Sequence, residues 1–273
     1  MKPPIKWIGG KTQLLPELRK RIPTALKRYY EPFVGGGALF FSYDDFPPNA
    51  TLGDANVDLM ELYGCLRDMP SHLIVALQKF ANRYNNQGRQ EAIYYAERTL
   101  FNATVDGPVE RSARFIFLNK TGFNGLYRVN KKGELNVPWG KHASFTPDEA
   151  GLMSCSRALK NTTLVDGDFE DTVNGAERGD FAYFDPPYVP ASASANFAAY
   201  QKEGFGPDEQ ERLRDCALRL KKRGVSVLLS NSDTPLVRQL YERGSFNIES
   251  VMARRAVNSD GAKRGKVGEV LIS

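Results

Sequence analysis

The chain has 273 residues, 41% of them apolar and 25% charged, with a formal charge of +5 and a mean hydropathy of −0.43. That length allows one large domain or two small ones around a sizeable core, and no stretch approaches the roughly 18 apolar residues of a membrane span. Cys65, Cys155 and Cys216 are odd in number and far apart, which argues against a disulfide framework. Neither His72 nor His142 stands at metal-ligand spacing from a cysteine, so no metal is expected.

The opening MKPPIKWIGGK is basic but has no apolar h-region, so a secretory signal is not expected and the reading is cytoplasmic. GGKT at 9–12 invites a phosphate-loop reading. That motif needs a glycine where Ile5 stands and a strand for which there is no room, so nucleoside triphosphatase chemistry is rejected. Residues 11–22 mix apolar and basic side chains at helical spacing, 29–34 read as a strand and 50–54 as another. Between them lies EPFVGGGALF. Glycines after a strand let backbone approach a ligand, and a helix beginning there points its N-terminus at the same place. Gly35, Gly36 and Gly37 are contiguous, which weakens a dinucleotide reading. Asp54, in GDAN at the end of the second strand, suits the hydroxyls of a ribose; it also suits the N-cap of a following helix.

From 57 to about 118 the apolar spacing is helical. The stretch 111–141 carries Arg111, Arg114, Lys120, Arg128, Lys131, Lys132 and Lys141 against Glu134 alone, with Phe115, Phe117, Phe123, Tyr127 and Trp139 interleaved. That composition fits a nucleic-acid surface. Residues 127–137, broken by Lys131, Lys132 and Gly133, look like a hairpin. After about 147 the pattern alternates: 162–165, 181–184 and 225–229 read as short buried strands and 207–222 as an amphipathic helix, which implies βαβ units and a parallel sheet. The expected architecture is one α/β core from residues 1–56 and 148–273, with a helical, basic insertion at 57–147.

The run FAYF ends in DPPY, at 185–188. An acid at the C-terminal end of a parallel strand sits where open α/β sheets bind ligands. Pro186 and Pro187 donate no backbone hydrogen bonds, so the turn is stiff and its carbonyls are available as acceptors. Tyr188 adds a flat face. Asp185 and the Pro186 carbonyl together suit the exocyclic amine of a nucleobase, whose lone pair is otherwise delocalised. Accepting both N–H bonds frees that lone pair for an electrophilic methyl, and the base must first leave the duplex to stack on Tyr188.

With KWIGGK, PFVGGG, LNKTGFNGLYRVNKKGELNVPWG and DPPYVPASASANFAAY in this order, the chain resembles the Dam-type DNA adenine-N6 methyltransferases over nearly its whole length. The resemblance implies a Rossmann-like methyltransferase sheet with an inserted helical target-recognition domain carrying a β-hairpin, S-adenosylmethionine as methyl donor, and double-stranded DNA read at GATC. It implies no obligate protein partner and a prokaryotic or phage-type, DNA-associated setting. Asp185, Pro186 and Tyr188 match catalytic positions. Trp7, Lys11, Phe33, Gly35, Asp54, Asp168, Phe169 and Asp185 match cofactor positions. Phe123 matches an aromatic that wedges into the duplex, and Asn124 a neighbour of the orphaned thymine. Lys6, Leu126, Arg128 and Pro138 match base readers, while Lys141 and His142 stand where the family usually carries Arg and Tyr. The small-residue segment 189–206 is expected to be mobile without DNA and to order over the extruded adenine. Cytosine-N4 methylation poses the same electronic problem and stays open at this stage. So do an inactive DNA-binding protein on the same scaffold and a small-molecule methyltransferase, although the latter leaves the basic insertion unexplained.

Overall fold

The computed structural model describes residues 1–43, 49–103, 106–189, 205–242, 244, 246–254 and 266–273, so most of the 189–206 segment lies outside the described residues. The chain is mixed α/β and divides into two compact units. One comprises Met1–Lys11, Val34–Phe46 and Asp54–Gly167; the other comprises Thr12–Phe33, Pro47–Gly53 and Asp168–Ser273.

In the second unit the strands run in the order β2-β1-β4-β5-β7-β6. Their ranges are β1 Tyr29–Glu31, β2 Ala50–Asp54, β4 Phe181–Phe184, β5 Ser226–Ser232, β6 Ile248–Arg254 and β7 Lys266–Ile272. β2, β1, β4 and β5 are parallel, with Tyr30 opposite both Thr51 and Ala182, and Ala182 opposite Val227. β4 is buried at all four positions, as a parallel strand covered on both faces must be. β7 runs antiparallel to both β5 and β6, which the alternating pattern did not foretell.

The strand expected over 29–34 stops at Glu31, because Pro32 has no N–H to extend the ladder. The helix expected over 11–22 shrinks to α1, Leu15–Arg19, with Pro16 in its first turn. Helix α8 (Pro207–Arg223) matches its expected range to within one residue. Its buried Leu213, Cys216, Ala217 and Leu220 recur at the spacing of one helical face and pack with Phe184, Val227, Leu229, Val237 and Ile272. The helix stops at Gly224, which takes φ +84° and donates to the carbonyls of Leu220 and Lys221. The short α7 (Phe169–Val173) and α9 (Pro235–Glu242) complete this unit's described helices.

The first unit holds α2 (Val57–Asp68), α3 (Pro70–Asn86), α4 (Gln90–Ala103), α5 (Pro108–Thr121) and α6 (Glu149–Leu159), together with β3 (Thr163–Asp166). β3 was expected to be buried; its residues are exposed or half-buried. α5 is buried from Ser112 to Asn119, so it is the helix on which α2, α3 and α4 pack. Burying it this deeply takes Arg114 out of water, and Glu97 on α4, 1% exposed, answers it through a 2.7 Å contact to Nε. Arg83 on α3 closes on the same carboxylate. Removing one partner of such a cluster strands buried charge, so Glu97→Ala is expected to destabilise the protein by about 3 to 5 kcal/mol. Urea denaturation followed by circular dichroism measures the loss.

Candidate active site

Parallel register decides what surrounds DPPY. Phe184 lies opposite Leu229, so the next residues along, Asp185 just past β4 and Ser230 still within β5, stand side by side. The Ser230 hydroxyl donates to Asp185 Oδ1 at 2.8 Å, and the Tyr183 phenol lies 2.9 Å from the same hydroxyl. The turn beyond is tied down by buried polar side chains. Gln210 Nε2 donates to the Pro187 carbonyl at 3.0 Å, Asn231 Nδ2 donates to Gln210 Oε1 at 3.1 Å, and Ser232 Oγ donates to the Val189 carbonyl at 2.6 Å. The expectation that the turn's carbonyls stay available therefore needs correcting at Pro187. The Pro186 carbonyl accepts no hydrogen bond among the described residues. Tyr188 donates to Glu269 Oε2 at 2.8 Å, which fixes its ring. Burial first, and the Asp185 carboxylate second, push the Tyr188 phenol well above its ordinary pKa.

In the helical unit the Asp54 carboxylate accepts the Gly35 N–H and the Asn56 N–H, each at 2.9 Å. Asp54 does not cap α2; Asn56 does, accepting from the Leu59 N–H at 3.0 Å. Burial raises the Asp54 pKa against the lowering effect of those two donors. The glycines also have another reason than close approach of a ligand. A Cβ on Gly35 would lie 2.7 Å from Trp7 Cδ1, and one on Gly36 would lie 2.8 Å from Trp7 Cβ. The Trp7 side chain occupies that space and stacks on Tyr127 at 5.2 Å. A 3-10 turn, Phe40–Ser42, follows the glycines where an α-helix was expected. Lys11 is buried, with Nζ donating to the Gly9 carbonyl at 2.6 Å.

In the sheet unit Phe33 stacks on Phe169 at 5.4 Å and meets Phe205 edge-on. Asp168 caps α7 through the Glu170 N–H at 2.9 Å and pairs with Arg212, whose guanidinium lies 4.5 Å from the centre of the Phe169 ring. A carboxylate accepts about four hydrogen bonds, so Asp54 retains acceptor capacity for ribose hydroxyls, and such donors offset the burial that disfavours its charge. Phe33 and Phe169 offer apolar ring surface.

The segment after α5 turns at once. Phe123–Gly125 form a 3-10 turn with Asn124 at φ +56°, which leaves Phe123 49% exposed. Asn124, Arg128, Pro138, Lys141, His142 and Lys6 are exposed, and Leu126 is half-buried. The expected hairpin is short: the antiparallel bridge of Val129 to Leu135 is flanked by Asn130 N–H donating to the Glu134 carbonyl and Asn136 N–H to the Arg128 carbonyl, and Gly133 closes the turn on the Asn130 carbonyl. Asn136 holds Arg128 through Nε at 2.7 Å and one terminal nitrogen at 3.3 Å. The Phe123 N–H donates to the Pro138 carbonyl, which brings the wedge position beside that proline. Among the described residues no helix is long and apolar enough to cross a membrane.

A parallel sheet that ends one strand in DPPY and its neighbour in EPFVGGG, with a basic helical unit in the same chain, defines the class as an α/β methyltransferase of nucleic acid. The sequence model of the D12 class N6 adenine-specific DNA methyltransferases matches residues 7–257, and the chain belongs to that family. It is 39% identical to the type II methyltransferase M1.LlaDCHI of Lactococcus lactis subsp. cremoris, over 100% of this chain and 95% of that protein. It is 40% identical to the type II methyltransferase M.MjaIII of Methanocaldococcus jannaschii, over 97% and 95%. To the DNA adenine methylase of Escherichia coli it is 35% identical, over 98% and 93%. The protein is accordingly an adenine-specific DNA methyltransferase that draws its methyl group from S-adenosylmethionine, and the cytosine-N4 alternative is set aside.

Sequence reasoning missed Ser230, Gln210 and Asn231, and named Tyr127 in the basic segment without its stacking partner Trp7. The run VLLSNS carried a signal for the first and third: small polar residues closing an apolar strand next to DPPY. Ser230→Ala is expected to lower turnover at saturating DNA and methyl donor by about tenfold or more, since a hydrogen bond to a charged group is worth roughly 1.5 to 3 kcal/mol. Single-turnover kinetics with tritiated methyl donor check this. Asp54→Asn is expected to weaken donor binding by about tenfold for loss of charge on one acceptor, with DNA affinity unchanged; calorimetric titration reads both.

Proposed function

We propose that this enzyme methylates N6 of an adenine extruded from GATC in duplex DNA, with Asp185 and the Pro186 carbonyl accepting the two N–H bonds of its amine. The observation that carries the chemistry is the contrast within one turn. The Pro187 carbonyl is engaged by Gln210, whereas the carbonyl before it has no partner among the described residues and adjoins a carboxylate braced by Ser230. Two acceptors held by a stiff turn stabilise a nitrogen turning tetrahedral without moving during the reaction. Tyr188, its hydroxyl tethered to Glu269, gives the base a face to stack on.

S-adenosylmethionine supplies the electrophilic methyl. Trp7, Lys11, Phe33, Gly35, Asp54, Asp168, Phe169 and Asp185 are the residues we assign to it, on the family pattern and on the fit of Asp54 to a diol. Residues 57–147 are assigned to target recognition and 1–56 with 148–273 to catalysis. Phe123 serves as the wedge, with Asn124 beside the unpaired thymine. Lys6, Leu126, Arg128 and Pro138 read bases, and Lys141 and His142 face the backbone and first pair. Asn136 engages Arg128 through Nε and one terminal nitrogen, and one N–H on each terminal nitrogen is left for guanine O6 and N7.

Expression in a host lacking adenine methylation, followed by digestion with nucleases that distinguish methylated from unmethylated GATC, tests the target. Protection at GATC supports it; an active preparation that leaves GATC digestion unchanged refutes it. Asp185→Ala is expected to lower turnover by about 100- to 1,000-fold, the effect of removing one preorganised polar group, while duplex affinity in gel-shift titration stays the same. Arg128→Ala is expected to relax discrimination at the outer G·C pair away from Lys6 by about 10- to 100-fold. Equal weakening on all duplexes would make Arg128 a backbone anchor instead.

A further inference from the structure

We infer that Asn119 is the positioning residue that locks Lys6 against the Phe123–Gly125 turn, so that base reading and base extrusion share one buried anchor. The inference rests on the assignment of Lys6 and Phe123 to DNA. Asn119 is the third residue from the end of α5 and is 2% exposed. Its Oδ1 accepts the Lys6 N–H at 2.9 Å, and its Nδ2 donates to the Lys6 carbonyl at 2.9 Å and to the Gly125 carbonyl at 2.9 Å. Both amide hydrogens and the oxygen are thus engaged. Toward Lys6 the side chain behaves as a neighbouring strand would, exchanging one bond each way with a residue 113 positions distant.

The second half of the junction is steric. Gly125 stands at φ +65°, and a Cβ there would lie 2.5 Å from Lys6 Cδ and 3.0 Å from Lys6 Cβ. The aliphatic stem of Lys6 therefore lies on the bare face of Gly125, and the same glycine offers its carbonyl to Asn119. The turn is closed independently by Gly125 N–H to the Gly122 carbonyl and Leu126 N–H to the Phe123 carbonyl, each at 3.2 Å. Asn119 does not form the turn. It sets where the turn sits relative to Lys6. Only a side-chain amide meets these demands: a carboxylate would place oxygen against two carbonyls, and an apolar residue would leave buried backbone groups unpaired.

The variants Asn119→Ala, Gly125→Ala and Lys6→Ala, made in the full-length enzyme, test this. Each is assayed for kcat/KM on a GATC duplex and on duplexes altered at the outer pair on the Lys6 side. Extrusion is read by 2-aminopurine fluorescence at the target position, with methyl-donor affinity and melting temperature as controls. Asn119→Ala is expected to reduce discrimination at that pair by about tenfold, the scale of one good base contact, and to dim the 2-aminopurine signal while donor affinity holds. Gly125→Ala, which crowds the Lys6 stem while keeping the Asn119 side chain, is expected to produce the same loss of discrimination and carries the test alone if Asn119→Ala fails to fold. Lys6→Ala is expected to lose discrimination but keep extrusion. If Lys6→Ala loses discrimination while the other two retain it, the positioning role is overturned and the reading of Lys6 stands. If Lys6→Ala discriminates normally, the reading of Lys6 falls and the inference falls with it.

Discussion

Parallel pairing of β4 with β1 on one side and β5 on the other is the constraint on which the chemistry depends. Four buried residues in β4 leave the chain no choice of face, since a slip of one residue would turn Tyr183 and Phe184 to opposite sides of the sheet. With register fixed, the first residue past the strand is a carboxylate. The residue past the matching position on β5 is a serine that hydrogen-bonds to it. Hydrophobic burial, which is non-directional, becomes directional only because strand pairing converts it into position.

Polar groups inside the protein then carry the precision. Gln210, Asn231, Ser230 and Ser232 are buried, and in an apolar interior each would be costly if unpaired. Each is paired, largely with the backbone or side chains of the turn after β4. The same logic recurs in the helical unit, where Asn119 meets Lys6 and Gly125, and where Tyr63 donates to the Gly35 carbonyl at 2.6 Å. In both units, loop carbonyls beside the named residues accept hydrogen bonds from buried side chains.

Much of the architecture was legible because it follows from local pattern. The strands at 50–54 and 181–184 have the expected bounds, and α8 ends beside the glycine that caps it. What was not legible depends on distant partners. β7, at the end of the chain, pairs with β5 on one side and β6 on the other, a contact no local periodicity encodes. The glycine run announced that something approaches the backbone, and composition has no means of saying that it is Trp7, some thirty positions earlier. Ser230 escaped notice because a hydroxyl within a strand is commonplace until the register puts an acid beside it. The family resemblance reached the level of fold and reaction because its motifs are short, ordered and chemically specific. The partners that hold those motifs still lie outside them.

The threading of the chain has a consequence for how the protein comes into being. It passes between the two compact units after Lys11, Phe33, Phe46, Gly53 and Gly167. Neither unit is a continuous stretch, so a cut that released one would also remove strands or turns from the other. On the ribosome, Lys6 must wait for a partner 113 residues later, a delay on the order of ten seconds at 5 to 20 residues per second. Throughout that interval the Lys6 N–H and carbonyl lack the side-chain amide that holds them in the folded protein. The first contact open to that segment is nearer in sequence, the Phe41 carbonyl, which the Met1 ammonium reaches at 2.9 Å.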